Sequence, residues 1–163
     1  TVSSCGIVPR IYDLAKEDIP ITFALSLHAP SDEERKELMP VAHQYTLAET
    51  LDACREYFRQ TGRRVTFEYS LVKGKNDTAE QAGKLAKLLS GMNCHVNLIP
   101  INPVEERDYE RSDSDSVEKF KSTLAKYHIN ATIRKSMGSD IDAACGQLRR
   151  KYAFHHQEDS HAF

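Results

Sequence analysis

The sequence contains no tryptophan, no CxxC pair, no internal repeat, no low-complexity segment and no long apolar run. Without a stretch of roughly 20 apolar residues, a membrane-crossing helix is excluded from the expectations. No signal-peptide pattern opens the chain either. Charge of one sign is also lacking: the formal net charge is −2 over 163 residues, so no global basic field advertises a nucleic-acid partner. That leaves local basic clusters, Arg134-Lys135 and Arg149-Arg150-Lys151, which read on sequence alone as solvated faces. The four cysteines, Cys5, Cys54, Cys94 and Cys145, are scattered. Their spacing suits neither a disulfide framework nor a metal site, so a reducing, cytoplasmic setting without membrane contact is expected.

What is present is the composition of a globular domain, 40% hydrophobic and 28% charged, in a chain long enough for one core. Four runs read as strands: IPITFALSL at 19–27, RVTFEYSL at 64–71, HVNLIP at 95–100 and NATIRK at 130–135. Between them lie helical patterns. Thr46 and Glu49 form a capping box ahead of a stripe of Leu47, Leu51, Cys54 and Phe58, and Gly62 ends that helix. Asp77, with Glu80 three residues on, is expected to cap a helix striped by Ala82, Leu85 and Leu89. Val117, Phe120 and Leu124 mark another, and a shorter one is expected over 9–15. Alternating strands and helices imply an α/β fold with a parallel sheet. Four strands are too few to close a barrel of eight, so about half a barrel is expected. Thr1 reads as the end of a strand, which suggests a piece of a longer protein; 103–113 reads as a polar loop.

In parallel α/β folds, function gathers at the C-terminal ends of the strands. Ser26 and His28 end one strand, Asn102 follows another, and Ser3, Ser4 and Gly6 follow whatever strand precedes them. Each has a plainer reading. His28 either caps the helix near Ser31 or sits in the core, Asn102 before Pro103 is a common turn pair, and the two serines make a phosphate-type loop or a helix cap. Cys54 and Cys94 read as core thiols. Glu68 either reaches a ligand or pairs with an arginine. Cys145, inside SDIDAACGQL, is either a core thiol or a reactive one: with Ser139 expected to cap a short helix, Cys145 would fall past its first turn, where the helix dipole helps a thiolate little and nearby arginines could do more.

Taken in order and spacing, SSCGIVP, ALSLHAP, VTFEYSLVKGKND, VNLIPINP and SDIDAACGQL give the chain a resemblance to a known family. It resembles the C-terminal half of the RlmN/Cfr family of radical S-adenosylmethionine (SAM) RNA methyltransferases, over nearly its whole length. The resemblance implies a radical-SAM partial (β/α) barrel. It implies residues 1–150 as the C-terminal half of that core domain and 151–163 as a flexible tail. It implies methylation of carbon 2 of an adenine in 23S rRNA and in some tRNAs, in the cytoplasm, with an external electron donor. Cofactors would be SAM and a [4Fe–4S] cluster whose ligands are not in this chain. By the same resemblance Cys145 is the methyl-carrying residue: its thiolate takes a methyl group, a SAM-derived radical removes hydrogen from it, and the resulting carbon radical adds to the adenine. Ser3, Ser26, Leu27, His28 and Asn102 match the family's SAM contacts.

The sequence also departs from the family pattern. CxxxCxxC, the Gly-Glu motif, the second catalytic cysteine, the proton-accepting glutamate and the RNA-binding domain are absent, all lying upstream of this stretch in relatives. The chain alone is therefore expected to be inactive. Cys5 stands where the family has serine, and Met137-Gly138-Ser139 replaces Arg-Gly-Asp. Alternative readings are a Cfr-type enzyme acting on carbon 8, a non-catalytic half-barrel, and a thiol enzyme using Cys145 without a cluster.

Overall fold

The computed structural model describes residues 1–102 and 109–134. Five strands form one sheet: β1 (Val2–Ser4), β2 (Phe23–Ser26), β3 (Val65–Leu71), β4 (Cys94–Pro100) and β5 (Ala131–Ile133). All neighbours are parallel and the order across the sheet is the order in the chain. Between them run α1 (Val8–Ala15), α2 (Asp32–Leu38), α3 (Leu47–Thr61), α4 (Ala79–Leu88) and α5 (Ser114–Lys126), with a 3-10 turn at Pro40–His43. Parallel strands need crossovers, and crossovers of one hand in a sequential sheet lay every helix on one face. This is the α/β half-barrel expected from the sequence.

The alternation in β3 and β4 shows which face is covered. Val65, Phe67, Tyr69 and Leu71, with Val96 and Leu98, are almost wholly buried in one core with Leu51, Tyr57, Leu85, Phe120 and Leu124 from the helices. The intervening Thr66, Glu68, Ser70, His95 and Asn97 are only half-buried and lie on the other face. Cys54 and Cys94 belong to the core, as expected. Burial pushes their thiols up, to about 12 and about 11.

Several details differ from the sequence expectations. The first strand is Val2–Ser4 itself, so Ser3 and Ser4 lie in a strand and do not follow one. The helix expected near Ser31 is α2; it is short and dominated by charge, DEERKEL, so it carries little apolar period and the sequence gives it no bounds. The α3 stripe buries Tyr57 completely and Phe58 only partly, because the Tyr57 hydroxyl reaches the Ile21 carbonyl (3.1 Å) while its ring packs on Phe23. The α4 cap falls one residue later than expected. Thr78 and Gln81 form the capping box, and the Asp77 carboxylate instead accepts from the Gly74 N–H at 2.9 Å. At α3 the expected box holds: Thr46 accepts from the Glu49 N–H, and Glu49 accepts from the Thr46 N–H. Those bonds keep the Glu49 carboxyl below its ordinary range.

One buried charge ties the loop after β1 to α2. Arg35 is fully buried, and its Nη2 donates to the Cys5 carbonyl at 2.8 Å. Burial, partly offset by Asp32, lowers the proton affinity of its guanidinium. Gly6 packs directly on that group. It has φ 102, and a Cβ there would stand 3.0 Å from Arg35 Nη2 and 3.2 Å from Thr50 Cγ2. Gly62, at φ 66, has open space around it. Gly62→Ala is expected to cost about 1 kcal/mol for backbone conformation alone, and Gly6→Ala about 2–3 kcal/mol because crowding adds to it. Chemical unfolding of the two variants checks the difference; equal losses would show that the guanidinium contact is slack.

Candidate functional site

Because all strands run the same way, their C-terminal ends collect on one rim. The rim holds His28 after β2, Ser70 and Leu71 at the end of β3, and Asn102 after β4. His28 has a left-handed backbone, φ 61, which a residue with a Cβ seldom adopts. Its Nδ1 accepts from the Ser70 N–H at 3.0 Å. A nitrogen accepting from an amide holds a lone pair, so the proton of the neutral ring sits on Nε2. That N–H has no partner among the described residues. Burial, reinforced by the Arg35 charge, lowers the His28 pKa to about 4, so the ring is neutral at physiological pH. His28 is neither the cap of α2, which is Ser31 accepting from the Glu34 N–H at 3.3 Å, nor a core residue.

The other candidates are placed as follows. Asn102 is half-buried, and its Oδ1 is buried without a partner among the described residues. Ser26 lies on the open sheet face, its hydroxyl donating to Glu68 Oε2 at 3.4 Å. Ser3 pairs with Ala24 in the register and so shares that face. Leu27 contributes backbone only: its side chain is in the core, its N–H donates to the Glu68 carbonyl and its carbonyl accepts from Ala29. Neither serine of the β1 end caps α1, whose cap is Ile7; the Ser4 hydroxyl accepts from the Gly6 N–H at 3.1 Å. Cys145, with 103–108 and the rest of 135–163, lies outside the described residues. The structure thus brings His28, Asn102 and Ser26 to one side of the fold.

Sequence reasoning missed the polar row across the open face. Register aligns Ser26, Glu68, Asn97 and Thr132, one from each of four strands. Thr132 donates to Asn97 Oδ1 at 2.7 Å and lies 2.9 Å from His95 Nε2. With its one hydrogen spent on Asn97, the threonine accepts, and His95 carries its proton on Nε2. The period-two polar positions of RVTFEYSL and HVNLIP are the signal that points to this row. Glu68, left open between a ligand and an arginine, meets Ser26 here and no arginine among the described residues. Arg35 and Asn76 were missed as well, because nothing in sequence marks a polar residue as buried.

The donors that the described residues place on this rim suit an organic ligand. The Asn102 acceptor and the His28 donor, both without a partner among the described residues, suit a ligand that carries both kinds of group. A [4Fe–4S] cluster does not fit the described residues: Cys54 and Cys94 are buried core thiols, and no group of three His, Cys, Asp or Glu gathers. No helix among the described residues is long and apolar enough to cross a membrane.

Below its ordinary 6.5, His28 takes up a proton more readily unfolded than folded. Folding stability is therefore complete above about pH 6.5 and falls as pH drops toward 4, by up to about 3 kcal/mol. Unfolding free energies measured from pH 7 to 4 are expected to show this slope, and His28→Gln to flatten it by one proton. An unchanged slope in the variant would place the titration elsewhere.

Comparison with known proteins puts this rim in context. No family model matches the chain. It is 61% identical over 152 residues to a probable dual-specificity RNA methyltransferase RlmN of Clostridium acetobutylicum and 62% identical over 152 residues to that of Clostridioides difficile. Each alignment takes in 93% of this chain and 44% of the relative, so the chain spans less than half the length of the curated relatives it matches. Among solved structures, a radical SAM methyltransferase from Sphaerobacter thermophilus is similar, with TM-score 0.87 and 47% identity, over 90% of this chain and 43% of that one. A domain of a pyruvate-formate lyase-activating enzyme from Bacteroides vulgatus shares the fold alone, with TM-score 0.63 and 13% identity over 82% of this chain and 80% of that one. The resemblance read from the motifs holds: the chain is similar to the C-terminal part of RlmN proteins.

Proposed function

We propose that this chain is the C-terminal half of the radical SAM core of an RlmN-type enzyme, one that methylates carbon 2 of an adenine in 23S rRNA and in tRNA. In this reading residues 1–150 complete the core and 151–163 form a tail. The observation that carries it is an Asn102 acceptor and a His28 Nε2–H that both lack a partner among the described residues, on one strand-end rim, in a chain about 60% identical to RlmN proteins.

The chain's own residues have distinct tasks. His28, kept neutral, donates from Nε2 to an acceptor of SAM, and a neutral donor adds no charge beside a sulfonium. Asn102 accepts from an N–H of the same ligand, which removes the cost of a buried unpaired oxygen. Ser3 and Ser26 offer hydroxyls from the open face, and Leu27 the second lone pair of its backbone carbonyl. Cys145 holds the methyl group as a thioether before the carbon passes to the adenine. Bound SAM supplies the methyl group and, at a [4Fe–4S] cluster, the radical that activates it. The cluster's ligands, the RNA-binding surface and the site of electron entry belong, in this reading, to the part of the relatives that the chain does not span. The reading also makes the protein cytoplasmic.

Two measurements on the full-length protein test this. His28→Ala and Asn102→Ala are each expected to weaken SAM binding by about 1–3 kcal/mol in calorimetry; unchanged affinity in both would remove them from the site. Cys145→Ala is expected to abolish RNA methylation while keeping SAM affinity, and peptide mass spectrometry should find S-methylation at Cys145 of the parent protein but not at Cys54 or Cys94, whose buried thiols are poor nucleophiles. Normal turnover by Cys145→Ala would end the mechanism.

A further inference from the structure

We infer that Asn76 is a positioning residue for His28: it locks the end of β3 against the His28 loop, and so fixes which imidazole nitrogen carries the proton and where that N–H points. The inference deepens the reading of His28 as a ligand contact and rests on it for its functional meaning, though its structural content stands apart.

Asn76 is 2% exposed and sits 48 residues from His28 in sequence. Its Nδ2 donates twice, to the His28 carbonyl at 2.9 Å and to the Ser70 carbonyl at 2.7 Å. Its Oδ1 accepts from the Val72 N–H at 2.7 Å, and its own carbonyl accepts from the Tyr69 hydroxyl at 3.1 Å. Both amide hydrogens and the oxygen are thus engaged. Ser70 is the hinge of the arrangement. Its N–H donates to His28 Nδ1 and its carbonyl receives Asn76, so one residue of β3 reads the imidazole on one side and the asparagine on the other.

The lock has something to hold. His28 is at φ 61, a conformation that persists only where surrounding bonds over-determine it. Its N–H donates to the Glu68 carbonyl at 3.3 Å. Only Asn76 bonds its carbonyl among the described residues. Without that bond the residue is free to relax from the left-handed region, and Nδ1 then leaves the Ser70 N–H. The consequence is chemical: once Nδ1 loses its donor, the neutral ring is free to carry its proton on either nitrogen. The Nε2–H is then no longer assured. Partners that fix a tautomer from outside the ligand's reach are a recurrent device around functional histidines.

The test is 15N NMR of the full-length protein with 15N-labelled histidine, at pH 8 and without ligand. The His28 signals are assigned by their loss in His28→Gln. The parent protein is expected to show a single tautomer protonated on Nε2. Asn76→Ala and Asn76→Asp, each first shown to unfold cooperatively, are expected to show both tautomers in exchange. Asn76→Asp keeps the size and the acceptor for Val72 but has no N–H to give, so it isolates the two donations if the alanine variant fails to fold. A purely structural role would lower the thermal midpoint and leave the tautomer untouched, and that result overturns the inference. So does a parent protein with its proton on Nδ1. SAM affinity, measured separately, is expected to fall about tenfold in the asparagine variants. A changed tautomer with unchanged affinity would uphold the positioning role and sink the assignment of His28 as a SAM contact.

Discussion

The two-faced sheet is the constraint on which this fold rests. In β3 and β4 every second residue is apolar and sealed under helices, and the alternate ones are half-open and, apart from Ile99, polar. The dry face holds the fold together, at about 25 cal/mol for each Å² of apolar surface removed from water. The other face is left free to carry Thr66, Glu68, Asn97 and Thr132 without an apolar penalty. Sequential parallel order follows from the same arrangement, since each helix must return the chain over the one apolar face. The rim that collects His28 and Asn102 is in turn a product of parallel order.

Loops on such a rim have few apolar residues with which to pack. Here buried polar groups hold them. Arg35 carries the Cys5–Gly6 turn, and Asn76 joins the loop after β2 to the end of β3. The two differ in kind. Asn76 is neutral and fully bonded, so it returns most of what its desolvation costs. Arg35 is a buried charge with one bond and with Nε and Nη1 unpartnered among the described residues, which makes it the more expensive anchor. Its charge also helps keep His28 neutral. A single guanidinium thus acts on one loop by a hydrogen bond and on its neighbour through the field.

Much of this was legible in the sequence, for reasons that can be named. The β3 and β4 runs and the α3 cap were readable because period-two alternation and S/T-x-x-E/Q patterns are local. The extent of the short helix α2 was not, because DEERKEL is held by Ser31 at its start and by contacts around Arg35 more than by an apolar stripe. The shift of the α4 cap from Asp77 to Thr78 was equally hidden. Two adjacent residues both suited the role, and the choice fell to the tight turn that claims the Asp77 carboxylate for Gly74. His28 and Asn102 were singled out by position after strands and by motif, and the rim on which both lie follows from parallel order. Asn76 stood inside the quoted VTFEYSLVKGKND and was passed over, since its partners, His28 and Ser70, come together only in three dimensions.

Strand order that follows chain order has a kinetic side. Each strand pairs with the one made just before it, so no segment waits for a distant partner during synthesis. Loop closures stay at the length of one helical crossover, which favours quick, stepwise folding over the slow search of interleaved sheets. Growth by addition also means that the sheet is extensible. A further βα unit at either edge needs no rewiring of the strands in place.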